Sequence, residues 1–317
     1  MKLKQQGEIV LSTLMEEIMI QSHIGEIYAL ITAIFWTITA ISFELAGRKI
    51  GSLSVNYIRL IIGFVLISIF TTFTRGMLLP IDATAKAWLW LSISGLIGFV
   101  IGDLFLFQAY LEIGSRISML IMALVPPITA LLGYLTMREV ISLSDFIGMA
   151  ITILGITAVV IVKNPEGNKF EFSRSIKGIA YAFVGAIGQS LGMIFSKIGM
   201  GNYDPFAATQ IRIISGIVGF TLVIICMKRW DKLKEAIKNK EATKYLFCGS
   251  LFGPFLGVSF SLLAIQYTTT GVASTITSII PVLIIPLSIL VLKEKVSPKE
   301  IIGAVISVIG VSILFVI

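Results

Sequence analysis

Five ionisable side chains fall inside otherwise apolar stretches of this 317-residue chain: Glu44, Arg59, Asp103, Lys197 and Arg212. A charge at the centre of a bilayer costs from ~2.5 kcal/mol upward, so each of these needs a partner or a purpose. Such groups can hold a proton, an ion or a charged solute, or they can pair with one another. Glu44, Arg59 and Asp103 lie toward the same end of their segments, so an Arg59 ion pair to Glu44 or Asp103 is one reading. The other leaves Asp103, embedded in GLIGFVIGDLF, free to bind a proton or a cationic solute group, which a neighbouring Arg would oppose. Around them stand groups suited to lining a cavity for a small amphipathic solute. Trp36 and Gln189 sit near segment centres, Gln108 and Tyr110 lie beyond Asp103, and Ser118, Ser274, Thr275, Thr277 and Ser278 follow further along. Pro126, Pro127, Pro281 and Pro286 interrupt two of the segments and free carbonyls that a neighbour or a wet cavity must satisfy.

Other chemistry is missing from the sequence. There is no glycine-rich phosphate loop ending in Gly-Lys-Ser/Thr and no GxSxG elbow. His23 is the single histidine, and Cys226 and Cys248 have neither metal-ligand nor redox spacing. No metal, cofactor or catalytic set is expected, and an enzyme is disfavoured.

These side chains are carried by a very apolar framework. The chain is 56% hydrophobic and 14% charged, where a soluble globule carries about 25% charged residues. A membrane helix needs roughly 20 apolar residues to cross ~30 Å of hydrocarbon. Ten such stretches follow one another, at 25–46, 54–73, 86–109, 116–136, 144–162, 176–199, 206–226, 244–266, 271–292 and 298–317. Most connectors are short, so no soluble domain is inserted. The net charge of +7 points to membrane loops, where Lys and Arg set orientation, and not to nucleic acid. Most basic residues follow odd-numbered helices, as in the long stretch Lys228–Lys244, which reads as a solvated loop. Positive-inside counting therefore puts the odd loops in the cytosol and both termini outside. Residues 1–24 carry Lys2, Lys4, Glu8, Glu16 and Glu17, too charged for a secretory signal. They read as an extension, either a surface helix or disordered, with Met15 or Met19 as an alternative start.

The chain also says nearly the same thing twice. LVPPITALLGYLTMREVISLSDFIGMAITILGI near the end of the first half registers with IIPVLIIPLSILVLKEKVSPKEIIGAVISVIGV near the end of the second. Pro126 falls on Pro281, Glu139 on Glu294, Gly148 on Gly303 and Gly155 on Gly310. Earlier, Gly25 falls on Gly178, Trp36 on Gln189, Glu44 on Lys197, Arg59 on Arg212 and Gly63 on Gly216, while Asp103 falls on Val258. The expected fold is an all-α integral membrane protein of ten transmembrane helices in two five-helix repeats, 25–162 and 178–317, joined by a linker at 163–177. An odd number of spans per copy turns the second upside down, the geometry of alternating access.

On Pro126, Glu139, Gly148 and Gly155, repeated as Pro281, Glu294, Gly303 and Gly310, with Arg59 and Arg212 early in the second helix of each half, the chain resembles the EamA-type branch of the drug/metabolite transporter superfamily. GDLFLFQAYLEIGS, from Gly102 to Ser115, is similar to one subgroup's third helix. The resemblance covers Gly25 to Ile317. It implies a ten-helix secondary carrier of small metabolites. Together with the inverted duplication, the missing ATPase motif and the polar cavity candidates, the expectation is a proton- or gradient-driven secondary active transporter, an exporter of small metabolites or drugs, without cofactor, in the plasma membrane of a prokaryote. The resemblance implies a central cavity lined by helices one, three and four and their mates six, eight and nine. It also implies cytosolic termini, against the charge count. The alternative is a non-transporting lipid-binding, scramblase or receptor-like subunit, which would show a lipid-facing polar groove instead of a closed central cavity.

Overall fold

The computed structural model describes residues 23–137, 142–163, 170–172, 174–268 and 270–316. Most of the 1–24 extension, Arg138 and Glu139, and part of the 163–177 linker lie outside the described residues. The first half contains α1 (Ile24–Ile50), α2 (Ser52–Arg75), α3 (Ala85–Ile113), α4 and α5 (Leu143–Val160). Helix α4 runs as Ser115–Ile121, a 3₁₀ turn at Met122–Leu124, and Val125–Met137. A two-strand ribbon, β1 (Ile161–Lys163) antiparallel to β2 (Phe170–Phe172), leads to the second half. That half contains α6 (Ile176–Met200), α7 (Pro205–Met227), a short α8 (Trp230–Lys238), α9 (Lys240–Tyr267), α10 and α11 (Pro298–Val316). Helix α10 comprises Thr270–Thr277, Ile280–Leu287 and a π turn at Ser288–Leu292.

Among the described residues, eight helices are long and apolar enough to cross a membrane: α1 to α4, α6, α7, α9 and α10. The apolar part of α5, Phe146–Val160, is shorter, and α11 packs along it. Stretch 228–244 is not the loop its charge suggested. Every third or fourth residue of α8 is apolar, so Leu233 and Ala236 are buried while Lys232 and Lys234 face outward. That is the pattern of a helix lying in an interface.

The packing repeats as the sequence does. Helix α1 packs on α9 and α10, and its mate α6 packs on α3 and α4. Helix α2 packs on α9, and its mate α7 on α3. The pairs α2 with α7 and α5 with α11 each join a helix to its own mate. Every one of these contacts has its reciprocal, as a two-fold relation between the halves requires.

Local structure follows local chemistry. The sharp corners between α1 and α2 and between α3 and α4 turn on Gly51 (φ 81) and Gly114 (φ 83), conformations closed to most side chains. The corner into α7 uses Asp204 instead, whose carboxylate caps the Ala207 amide at 2.8 Å, with Pro205 in the first turn. Helices α3 and α9 both loosen into a π turn at matching repeat positions, Leu96–Gly102 and Leu251–Phe255. The turn in α9 contains Pro254, which has no N–H to donate. Such turns re-aim the residues that follow them, here Asp103 and its mate Val258.

Helices α5 and α11 approach until no side chain fits between them. A methyl added at Gly155 would lie 2.6 Å from the Ser307 amide nitrogen and 2.8 Å from the Gly303 carbonyl oxygen. Gly155→Ala is therefore expected to destabilise by about 1–3 kcal/mol, the usual cost of overpacking. Thermal unfolding in detergent measures this, and an unchanged midpoint would rule out the close approach.

Candidate functional site

The halves meet around a cavity with two lobes. The first, of about 60 Å³, is walled by Arg59, Phe99, Asp103, Tyr110, Arg212 and Val258 among others. The second, of about 90 Å³, is walled by Thr32, Pro126, Ser274, Thr277, Ser278 and Pro281 with Met119, Met122 and Ala123. Trp36, Gln189, Met193 and Ser261 line both. The walls therefore come from α1, α3, α4, α6, α9 and α10, with contributions from α2 and α7.

Asp103 is the acid that meets Arg59. Its carboxylate takes an ion pair from Arg59 and a hydrogen bond from Gln189 Nε2. Asn56 accepts from Arg59 Nε at 3.2 Å and donates to the Asp103 backbone carbonyl at 3.1 Å. The Arg59 guanidinium carbon sits 4.6 Å from the Phe107 ring centre and 5.5 Å from that of Phe99. A charge pair this far from water holds only when its hydrogen bonds are made, and here they come from α2 and α6. Glycine permits the meeting: a methyl on Gly188 would lie 2.6 Å from the Gly102 Cα, so α6 reaches α3 closely enough for Gln189 to touch Asp103.

Arg212, the repeat mate of Arg59, has no such cage. It is 5% exposed, its Cζ lies 4.8 Å from the Phe99 ring centre, and its Nε has no hydrogen-bond partner among the described residues.

The structure scatters the other candidates. Tyr110 lines the first lobe and donates to Met119 Sδ at 3.3 Å. Gln108 faces away from the cavity, accepting from Ser52 Oγ at 2.7 Å, because it lies on the opposite face of α3. Ser118 is buried against its own helix, donating to the Gly114 carbonyl at 2.8 Å. Thr275 is half-buried on α10 and lines neither lobe. Of the prolines, Pro126 and Pro281 wall the second lobe, Pro127 is buried behind it, and Pro286 is exposed. Lys197 is exposed in the last turn of α6, where a long stem can carry its charge to the interface. Phe99, Thr39, Pro254 and Met193 were missed, and only the glycine spacing around the π turns hinted at them.

Glu44 pairs with Arg48 on its own helix, not with Arg59, and accepts the Ser115 backbone N–H at 2.7 Å. From there a chain of charges closes the odd-loop end. Arg48 lies 3.9 Å from Glu294, Arg116 bonds Glu294 at 3.0 Å and also pairs with Glu300, and Arg174 approaches Glu300 at 3.8 Å. Glu300 and Ser297 cap α11 reciprocally at 3.3 Å. The even-loop end has a smaller latch. Tyr203 donates to Asp82 at 2.8 Å and Arg75 pairs with Asp82 at 2.5 Å. Partial burial and the bond to Asp82 push the Tyr203 phenol up to about 12.

A two-fold bundle of apolar helices around a central cavity is the build of membrane carriers. The EamA-like transporter family model matches residues 23–161 and 176–316, so the chain belongs to that family and is a membrane transporter. It is 25% identical over 292 residues to an uncharacterized transporter of Clostridium kluyveri, covering 90% of this chain and 91% of that one. Over 111 residues it is 29% identical to an uncharacterized transporter of Archaeoglobus fulgidus, covering 35% of this chain and 37% of that one. A solved crystal structure shares the fold with a TM-score of 0.61 at 15% identity, covering 92% of this chain and 96% of the other.

Breaking the buried pair from one side should cost about 3–5 kcal/mol, because the surviving charge is left alone. Asp103→Asn and Arg59→Gln are each expected to lower the unfolding midpoint sharply, and the double variant less than the sum of the two. Strict additivity in this double-mutant cycle would show that the two do not act as a pair.

Proposed function

We propose that this chain is a secondary carrier that moves small metabolites across the cytoplasmic membrane of a prokaryote by alternating access. The observation that carries the reading is the two-lobed cavity, walled by both members of four repeat pairs: α1 with α6, α2 with α7, α3 with α9 and α4 with α10. With α5 and α11 counted as spans, each half has five and the second lies inverted, so rocking one half on the other exposes the cavity to either side in turn. The conformation described here is closed at the odd-loop end by Glu44, Arg48, Arg116, Glu294 and Glu300, which tie α1 and α4 to the α10–α11 connection. The second lobe lies toward the other end. On the distribution of Lys and Arg, including α8, we place the odd loops in the cytosol. The central position of the cavity favours a carrier over a lipid-facing groove.

Two measurements test this. Liposomes containing the purified chain should accumulate or release members of a broad metabolite panel, with and without a pH gradient, and failure to move any would refute the carrier. With Cys226 and Cys248 replaced, a cysteine at Ser278 should react with a membrane-impermeant reagent from the even-loop side. Arg116→Gln, which cuts the link to Glu294 and Glu300, should raise its reactivity from the odd-loop side several-fold. Equal labelling from both sides before and after that change would remove the gate.

A further inference from the structure

Arg59 and Arg212 are repeat mates, and so are Gln189 and Trp36. In the first half, Arg59 and Gln189 converge on one carboxylate, that of Asp103. In the second half the mate of Asp103 is Val258, which lines the same lobe. The two side chains that would converge on an acid there are both orphaned. Among the described residues, Arg212 Nε and Trp36 Nε1 are buried with no hydrogen-bond partner, and Trp36 Nε1 stands 3.0 Å from where a methyl on Gly257, next to Val258, would lie. Thr39 Oγ1, on the same wall, is likewise buried and unpartnered. Buried donors left unmade cost free energy, and two buried guanidiniums that share one carboxylate leave one positive charge unbalanced. With Asp103 neutralised by Arg59, the lobe keeps the charge of Arg212.

We propose that the first lobe binds the oxyanion head group of a small solute, a carboxylate or a phosphate ester, which Arg212 and Trp36 hold where the second half lacks its aspartate. This rests on the carrier reading and narrows its substrate to anions. The apolar body of the solute passes Trp36 and Met193 into the second lobe, among the methionines and hydroxyls there. One copy of the repeat carries its own acid, and the other takes one from the ligand. Arg59 and Gln189 then serve as positioning residues, since they hold the Asp103 carboxylate.

The test uses the full chain in detergent and three probes with one apolar body: sodium benzoate, sodium phenyl phosphate and benzylammonium chloride, with sodium chloride as the salt control. One or both anions should raise the unfolding midpoint in a saturable way, and the stronger identifies the head group, while benzylammonium should not. Arg212→Gln should weaken apparent affinity at least tenfold, about 1.4 kcal/mol, and Arg212→Lys should keep part of it. Val258→Asp supplies the missing acid and should abolish anion binding with both Arg212 and Trp36 intact. No shift with either anion, an equal shift with benzylammonium, or an anion shift that survives Arg212→Gln overturns the assignment. Anion binding by a chain that moves nothing in liposomes would sink the carrier and leave the site. Transport by a chain that binds neither anion would do the reverse.

Discussion

The ion pair between Arg59 and Asp103 is the contact on which the interior of this protein depends, because hydrocarbon offers no water to share a charge. Each partner is an expensive residue at membrane depth, and each is tolerable only while the other is in place. The pair in turn fixes what surrounds it. Asn56 ties α2 to the backbone of α3, and Gln189 brings in α6. The glycines at 102 and 188 are required so that the helices can come close enough for those bonds to form. The aromatic rings of Phe99 and Phe107 cover the guanidinium and keep lipid and water from it.

Duplication gives the bundle its symmetry, and the departures from symmetry mark its distinct places. The packing of helices onto their counterparts is reciprocal throughout the core. The π turns of α3 and α9 occur at the same repeat position although one contains a proline and the other none. The ends differ more. One end is closed by a chain of Arg and Glu residues from both halves, while the other has a small latch of Arg75, Asp82 and Tyr203. The repeat mates of Glu44 and Arg116 are Lys197 and Gly271, so the same closure cannot form at both ends.

The candidate cavity was partly legible beforehand because the bilayer makes every buried polar group conspicuous. Trp36, Asp103, Tyr110, Gln189, Ser274, Thr277 and Ser278 all reached it. Gln108 and Ser118 did not, since a polar residue on a membrane helix can equally well satisfy itself on a neighbouring helix or on its own backbone. Lys197 falls inside an apolar stretch of the sequence, yet its place in the last turn of α6 lets the ammonium leave the hydrocarbon.

The sequence alone determined the class of protein and its two-copy plan. Apolar runs of membrane length and residues recurring in register are one-dimensional properties, and no packing detail alters them. Only the tertiary structure decided which acid takes Arg59, where the basic stretch after α7 lies, and that Arg212 makes no ion pair of its own among the described residues. The physical reason is that lipid-facing and bundle-facing surfaces of a membrane helix are both apolar. The hydrophobic pattern that orients a helix in water therefore says little about rotation here. That rotation is set by glycine contacts and buried hydrogen bonds between segments far apart in the chain, which only the assembled bundle brings together.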